Sequence, residues 1–162
     1  MPIDLTPDVV SGIIARLITS VFGTLGFTII LGVPAKKMTA ATLGGLFTCA
    51  VYELIWILGG SPLVCALGAS FFMTLYSEIL ARKMHTPVLT FFIPCAIPIV
   101  PGSGLYYTMY NTLFYDKDKL FYYGPRTIGI ALGIAIGFAF ATTLVSGIVS
   151  FLRNREAKKK QV

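Results

Sequence analysis

The stretch IPCAIPIVPGSGLYY, from Ile93 to Tyr107, decides how this chain folds. The surrounding sequence is hydrophobic, yet three prolines and two glycines fall between Pro94 and Gly104. Proline inside a helix removes a backbone donor and clashes with the preceding turn, so we predict a break in any helix that passes through this stretch. Proline also disfavours helical geometry in the residue before it. Extended backbone is therefore predicted at Ile93, Ile97 and Val100.

The composition indicates that the break lies within a membrane. Hydrophobic residues make up 56% of the 162 residues, charged residues only 12%, and the mean hydropathy is +0.80. A single soluble domain cannot bury that much apolar surface, so we predict an all-α integral membrane protein. The net charge is +6, but the basic residues form short clusters between apolar stretches. This pattern indicates topology signals and does not indicate a nucleic-acid partner.

We predict one membrane domain over residues 1–162, with about five transmembrane helices of which the fourth is broken. A span needs about 20 mostly apolar residues. Unpaired backbone is not tolerated against lipid, so the broken part is expected to be buried in protein or to line a water-filled cavity. The predicted spans are residues 9–33, 39–59, 63–81, the broken stretch 87–115, and 127–152, followed by a basic cytoplasmic tail at 153–162.

The distribution of basic residues predicts the orientation of these spans in the cell membrane. With five spans and a cytoplasmic C-terminus, nine basic residues lie inside and three outside. Cytoplasmic loops carry an excess of Lys and Arg. We therefore predict a multi-pass protein with its N-terminus outside and its C-terminus inside.

Two ionisable residues are predicted within the spans. Arg16 and Glu53 lie at similar depths, roughly 9 to 11 Å from the outer membrane surface at helical rise. Each costs several kcal/mol near the bilayer centre unless it is paired or hydrated. Both share a helix face with small or polar residues, so they should face protein or water. They form either a pair that handles substrate or protons, or a structural ion pair that ties two helices together.

A face of small residues runs along the last span. Gly129, Gly133, Gly137 and Ala141 follow one another at four-residue spacing, which lets another helix approach closely. The neighbouring helix belongs either to the same chain or to another subunit. Five spans cannot divide into two equal inverted halves, so a transport pathway would need copies of this chain or a larger membrane partner.

The residues after the break have the pattern of an anion site. Gly102, Ser103 and Gly104 are predicted to open a short helix, whose first N–H groups lack helical partners and favour a carboxylate. Ser103 is expected either to cap this helix or to bind the ligand directly. The other residues predicted along the pathway are Pro98, Pro101, Tyr106 and Tyr107, the tyrosines also suiting an aromatic belt at the outer membrane interface.

No enzyme signature accompanies these features. The sequence lacks the HisGluxxHis and GlyxSerxGly patterns and has no paired catalytic carboxylates. We expect no catalytic activity, no cofactor and no metal. The cysteines, Cys49, Cys65 and Cys95, lie in apolar runs and are predicted to be free and buried.

The chain resembles the small subunit of the threonine/serine exporter family. The similarity lies in GlyValPro at 32–34 after the first span, and in IlePro-x-x-ProGly at 97–102 followed by a Tyr-rich helix. This resemblance implies a subunit of a secondary exporter of small carboxylate-bearing metabolites, either amino acids such as threonine and serine or dicarboxylates such as succinate. It also implies a larger membrane subunit of the same family as partner. The alternative is a channel-forming or non-transporting scaffold membrane protein.

Overall fold

The computed structural model describes residues 7–114 and 117–159. Helices account for nearly all of these residues and no strand occurs among them, which confirms the predicted all-α membrane fold. The elements are α1 (Pro7–Ile30), α2 (Ala35–Ile57), α3 (Pro62–Lys83), α4 (Leu89–Ala96), a 3-10 turn (Ile97–Ile99), α5 (Gly102–Leu113) and α6 (Lys117–Lys159). Residues 1–6, 115–116 and 160–162 of the predicted membrane domain, the last three in the predicted basic tail, lie outside the described residues.

Four helices are long and apolar enough to cross a membrane, namely α1, α2, α3 and α6. A fifth span results if α4 with its 3-10 turn and α5 count together, and the two parts meet at a bend of 54°. The predicted count of five, with the fourth span broken, agrees with this reading. Neither part of the broken span reaches the length of about 20 residues that a single crossing needs.

The break differs in detail from the local prediction. Val100 is extended, with φ −63° and ψ 126°, as its position before a proline predicts. The prediction was wrong for Ile93, which lies inside α4, and for Ile97, which is helical at φ −49° and ψ −46°. Proline disfavours the helical region only locally. Here the packing of α4 against α2 and α3 overrides that preference, and the backbone stays helical past Pro94 and Pro98.

Helix α3 is the centre of the bundle and packs against α2, α4 and α6. Its buried face is made of small and medium side chains, including Ala69 and Met73, which contact Cys95 and Ile99 of the broken span. This contact fixes the level of the break within the bundle. The three cysteines are free and buried, as predicted.

The small-residue face of α6 packs against α3 of the same chain. Gly133 and Gly137 are so close to α3 that a methyl group on either would meet its backbone. The Ser70 hydroxyl also donates a hydrogen bond of 3.4 Å to the Gly133 carbonyl. The described contacts therefore favour intrachain packing over a subunit interface for this face.

Helix α6 begins at Lys117, ten residues before the predicted span 127–152. These extra residues pack against α5, since the Tyr107 and Tyr123 rings stack at 5.1 Å and the Thr108 and Thr127 hydroxyls lie 3.4 Å apart. Within the described residues, α5 packs only against α6. Residues 117–126 fall between the predicted spans because the sequence does not reveal that α5 needs this helical partner.

Candidate functional site

Arg16 and Glu53 form an ion pair between α1 and α2. The Arg16 Nη1 donates to the Glu53 Oε1 at 2.9 Å, so the predicted pairing is confirmed. The two helices approach closely because Gly45 faces Thr24, where a methyl group would clash. The pair is asymmetric, since the Arg16 side chain is 63% exposed and the Glu53 side chain only 5%.

Only half of the Glu53 carboxylate is satisfied within the described residues. Oε1 accepts from Arg16, whereas Oε2 is buried and has no hydrogen-bond partner. Leaving a buried polar atom unpaired costs about 1 to 3 kcal/mol, more for a charged group. Such an atom deserves an explanation beyond helix packing.

An inner cavity of about 370 Å³ adjoins the ion pair. It lies between α1, α2, the broken span and α6. Arg16 and Glu53 contribute charge to its wall, and Thr19 and Ser20 contribute hydroxyl groups. The end of the 3-10 turn and the extended residue Val100 also line it, between Pro98 and Pro101, so the break faces a cavity that the ion pair makes partly polar.

An outer cavity of about 390 Å³ lies between the ion pair and the α5–α6 hairpin. Ser103 and Gly104 from the start of α5 line it, together with Tyr107. Helix α6 contributes the polar side chains of Tyr122, Tyr123, Arg126 and Thr127 to its wall. The two cavities adjoin because they share wall residues, namely Arg16, Tyr52, Pro101 and Ile130.

The sequence analysis missed Arg126 as a site residue. The Arg126 guanidinium lies 5.2 Å from the centre of the Trp56 ring, which is a cation–π distance, and its Nη1 donates to the Tyr122 hydroxyl at 3.4 Å. Arg126 is one of the three basic residues that the charge distribution assigns to the outside, between the predicted spans. The available signal was its spacing of four residues from Tyr122, which places both on one face of a helix.

Helix α5 starts where the sequence predicts, but Ser103 does not have both of its predicted functions. The helix begins at Gly102, whose N–H donates to the Val100 carbonyl at 2.8 Å. The next two N–H groups, of Ser103 and Gly104, face no carbonyl of α5, as at any helix start. Ser103 does not cap the helix, because the cap position belongs to Pro101 and has no side-chain hydrogen bond.

The predicted site residues are therefore only partly assembled. Arg16, Glu53, Pro98, Pro101, Ser103, Gly104 and Tyr107 line one or both cavities. Tyr106 is 61% exposed and packs against its neighbours Tyr107 and Tyr110, and Gly102 has open space around its Cα. The described walls of the two cavities include neither Tyr106 nor Gly102. In the described part of the chain, no cluster of three His, Cys, Asp or Glu side chains could hold a metal ion.

A broken membrane helix beside a cavity whose wall holds an intramembrane ion pair is typical of membrane transport proteins. Residues 16–144 match the family model described as "Threonine/Serine exporter, ThrE". The chain belongs to the threonine/serine exporter family, and this membership supports a membrane exporter. No curated protein and no solved structure matches the chain significantly.

Proposed function

We propose that this protein is a subunit of a secondary exporter of small carboxylate-bearing metabolites. Its substrates are amino acids such as threonine and serine, or dicarboxylates such as succinate. It works in the cell membrane with its N-terminus outside and its C-terminus inside, together with a larger membrane subunit of the same family. Family membership supports the exporter class, and the cavities support the carboxylate.

One observation carries the substrate class: the adjoining cavities have two arginines in their walls. Arg16 lies where the inner and outer cavities meet, and Arg126 lines the outer one. Guanidinium groups bind carboxylates through paired hydrogen bonds. The N–H groups at the start of α5 add partial positive charge at the outer cavity. A carboxylate passing through this space therefore has favourable partners at successive positions.

Counterflow in liposomes tests this function and separates a carrier from a channel. The full chain is purified with any membrane partner that it retains and is reconstituted into liposomes loaded with unlabelled L-threonine, L-serine or succinate. We expect saturable uptake of the labelled compound against its own gradient for at least one of the three. Flux that does not saturate and gives no counterflow would favour the channel alternative, and no flux for all three would contradict the proposal.

Two variants connect this flux to the break. Gly102→Val places a side chain in open space, so assembly should survive while close approach to the helix start is blocked. Ser103→Ala removes a hydroxyl from the outer cavity and should weaken apparent affinity several-fold, since a lost hydrogen bond costs about 1 kcal/mol. Unchanged affinity in both variants would place the binding site elsewhere. Gly104 is not used as a test position, because any side chain there would clash with Thr127.

A further inference from the structure

We propose that Glu53 is a proton-binding site whose protonation releases Arg16 to bind a carboxylate. This inference deepens the proposed function and rests on it for the identity of the carboxylate. The protonation of Glu53 itself is open to measurement without any transport. The argument uses the unequal exposure of the ion pair, the unpartnered oxygen and the groups that surround it.

The geometry of Glu53 favours a carboxyl group that changes its protonation state. Its side chain is 5% exposed, and the residue lines the inner cavity. Oε2 is buried and lacks a partner, so half of the carboxylate is desolvated without compensation. A proton on the carboxyl group removes the buried charge, and water in the cavity supplies a route for that proton.

Among the groups that face Glu53, Arg16 has the strongest influence on whether its carboxyl group is ionised. Helix α1 contributes Arg16, and α2 itself contributes Cys49 and Tyr52, which are close enough to interact electrostatically with the carboxylate. Helix α3 contributes the Cys65 thiol. The broken span contributes no titratable group to the inner cavity, and α6 contributes Ile130 there and Arg126 farther out. No second carboxylate lies in the described walls of either cavity.

The exposure of Arg16 makes release of the ion pair feasible. Its side chain is 63% exposed and can remain hydrated when Glu53 is neutral. Lipid contact with a guanidinium is costly, so the exposed part must face water or protein. With Glu53 ionised, Arg16 is paired internally. With Glu53 protonated, the same guanidinium can pair with a substrate carboxylate, and the charges of Glu53, Arg16 and the bound carboxylate group sum to zero in both states.

This exchange couples the two ligands. A proton from cavity water joins the Glu53 carboxylate, and the Arg16–Glu53 contact is replaced by a contact between Arg16 and the substrate. The proton returns to water when the substrate leaves. Because each event favours the other, carboxylate binding should tighten as a falling pH increases the protonated fraction of Glu53. One linked proton limits the change to about tenfold in affinity per pH unit.

Infrared titration of the full chain in lipid tests the proton site directly. We expect the carbonyl band of a buried protonated carboxyl group to grow as the pH is lowered. This band should be missing from Glu53→Gln and retained in Glu78→Gln. Glu78 is the matched control because it also pairs with an arginine, Arg82, at 3.0 Å, but lies at the end of α3. A titrating band that persists in Glu53→Gln, or the absence of any such band in the wild-type protein, would overturn the proposal.

A binding experiment tests the coupling to Arg16. Succinate affinity is measured at a series of pH values at which both carboxyl groups of succinate are ionised. The wild-type affinity should rise toward low pH, whereas Glu53→Gln should bind with one affinity throughout. Equal pH dependence in both proteins would contradict the release of Arg16.

If neither binds succinate or L-threonine, the proposed function fails, while the infrared result still decides the proton site. If Glu53→Gln does not assemble, Arg16→Gln/Glu53→Gln replaces it in the infrared comparison.

Discussion

At the scale of single residues, the two members of the intramembrane ion pair are not equivalent. Glu53 is buried, so it depends on Arg16 for neutralisation. Arg16 is largely exposed and has access to other partners. Breaking a buried ion pair by removing one partner is costly because the other charge remains uncompensated. The cost of a substitution should therefore depend on which charge is left behind.

We predict that Arg16→Gln destabilises the protein more than Glu53→Gln does, and more than the double variant does. Arg16→Gln leaves a buried carboxylate unpaired, which should cost about 3 kcal/mol or more. Glu53→Gln leaves an exposed guanidinium and should cost less. Thermal unfolding of the four proteins in one detergent measures these differences. Strictly additive losses in the double variant would contradict the coupling.

Single residues also show which parts of the candidate site the sequence could predict and which it could not. Arg16 and Glu53 were predictable as partners because each is an ionisable residue in an apolar span and both lie at one depth. Arg126 was not, because its charge fits an outer loop equally well. Its role depends on the distance from Trp56 across the bundle, and spacing along the chain does not report that distance.

At the scale of helices, the contact between α3 and α6 shows how glycine spacing is used. Gly137 lies directly on α3, where a methyl group would meet the Leu67 carbonyl oxygen at 2.5 Å. Gly129 belongs to the same face, but a methyl group there would make ordinary contact with Leu63 at 3.9 Å. The close contact between α6 and α3 therefore begins after Gly129 along α6. Their even spacing did not reveal this difference.

We predict that Gly137→Ala loosens the bundle while Gly129→Ala does not. The added methyl at position 137 forces the two helices apart, and overpacking of this kind typically costs about 1 to 3 kcal/mol. At position 129 the methyl fits, and alanine favours the helix over glycine. Thermal unfolding in detergent should show a lower midpoint only for Gly137→Ala. Equal midpoints for the two variants would mean that α3 and α6 do not pack as described.

The break was predictable as an event, but not in its geometry. Pro94, Pro98 and Pro101 exclude an ordinary continuous helix, and α5 indeed starts at Gly102. The sequence could not show that the backbone becomes extended at Val100 and stays helical at Ile93 and Ile97. All three precede a proline, and only the packing of α4 into the core distinguishes them.

At the scale of the whole molecule, α6 is longer than a membrane is thick. Helix α6 has 43 residues, which at helical rise is about 64 Å. A bilayer core is only about 30 Å thick. Part of α6 must therefore extend beyond the hydrocarbon region. The aromatic residues on α5 and at the start of α6, including Tyr106, Tyr110, Phe121 and Tyr122, suit the interface or the space above it.

We predict that the α2–α3 turn and the start of α6 face the outside of the cell. Single cysteines at Ser61 and Lys117, in a chain whose natural cysteines are replaced, should react with an impermeant thiol reagent added to intact cells. A cysteine at Lys36 should react only after the membrane is opened. All three positions are exposed, so burial does not confuse the result. Labelling at Lys36 in intact cells would show that the orientation is the opposite of the predicted one.

The 54° bend in the broken span also constrains how the protein is made. During synthesis, a segment leaves the insertion machinery for lipid when it is long and apolar enough to cross alone. The helical stretch from Leu89 to Ile99 and the one from Gly102 to Leu113 are each about 16 to 22 Å long at helical rise, well short of a bilayer core. Neither can be released by itself. The first must wait for a place against α2 and α3, and the second for α6, which the ribosome produces after it.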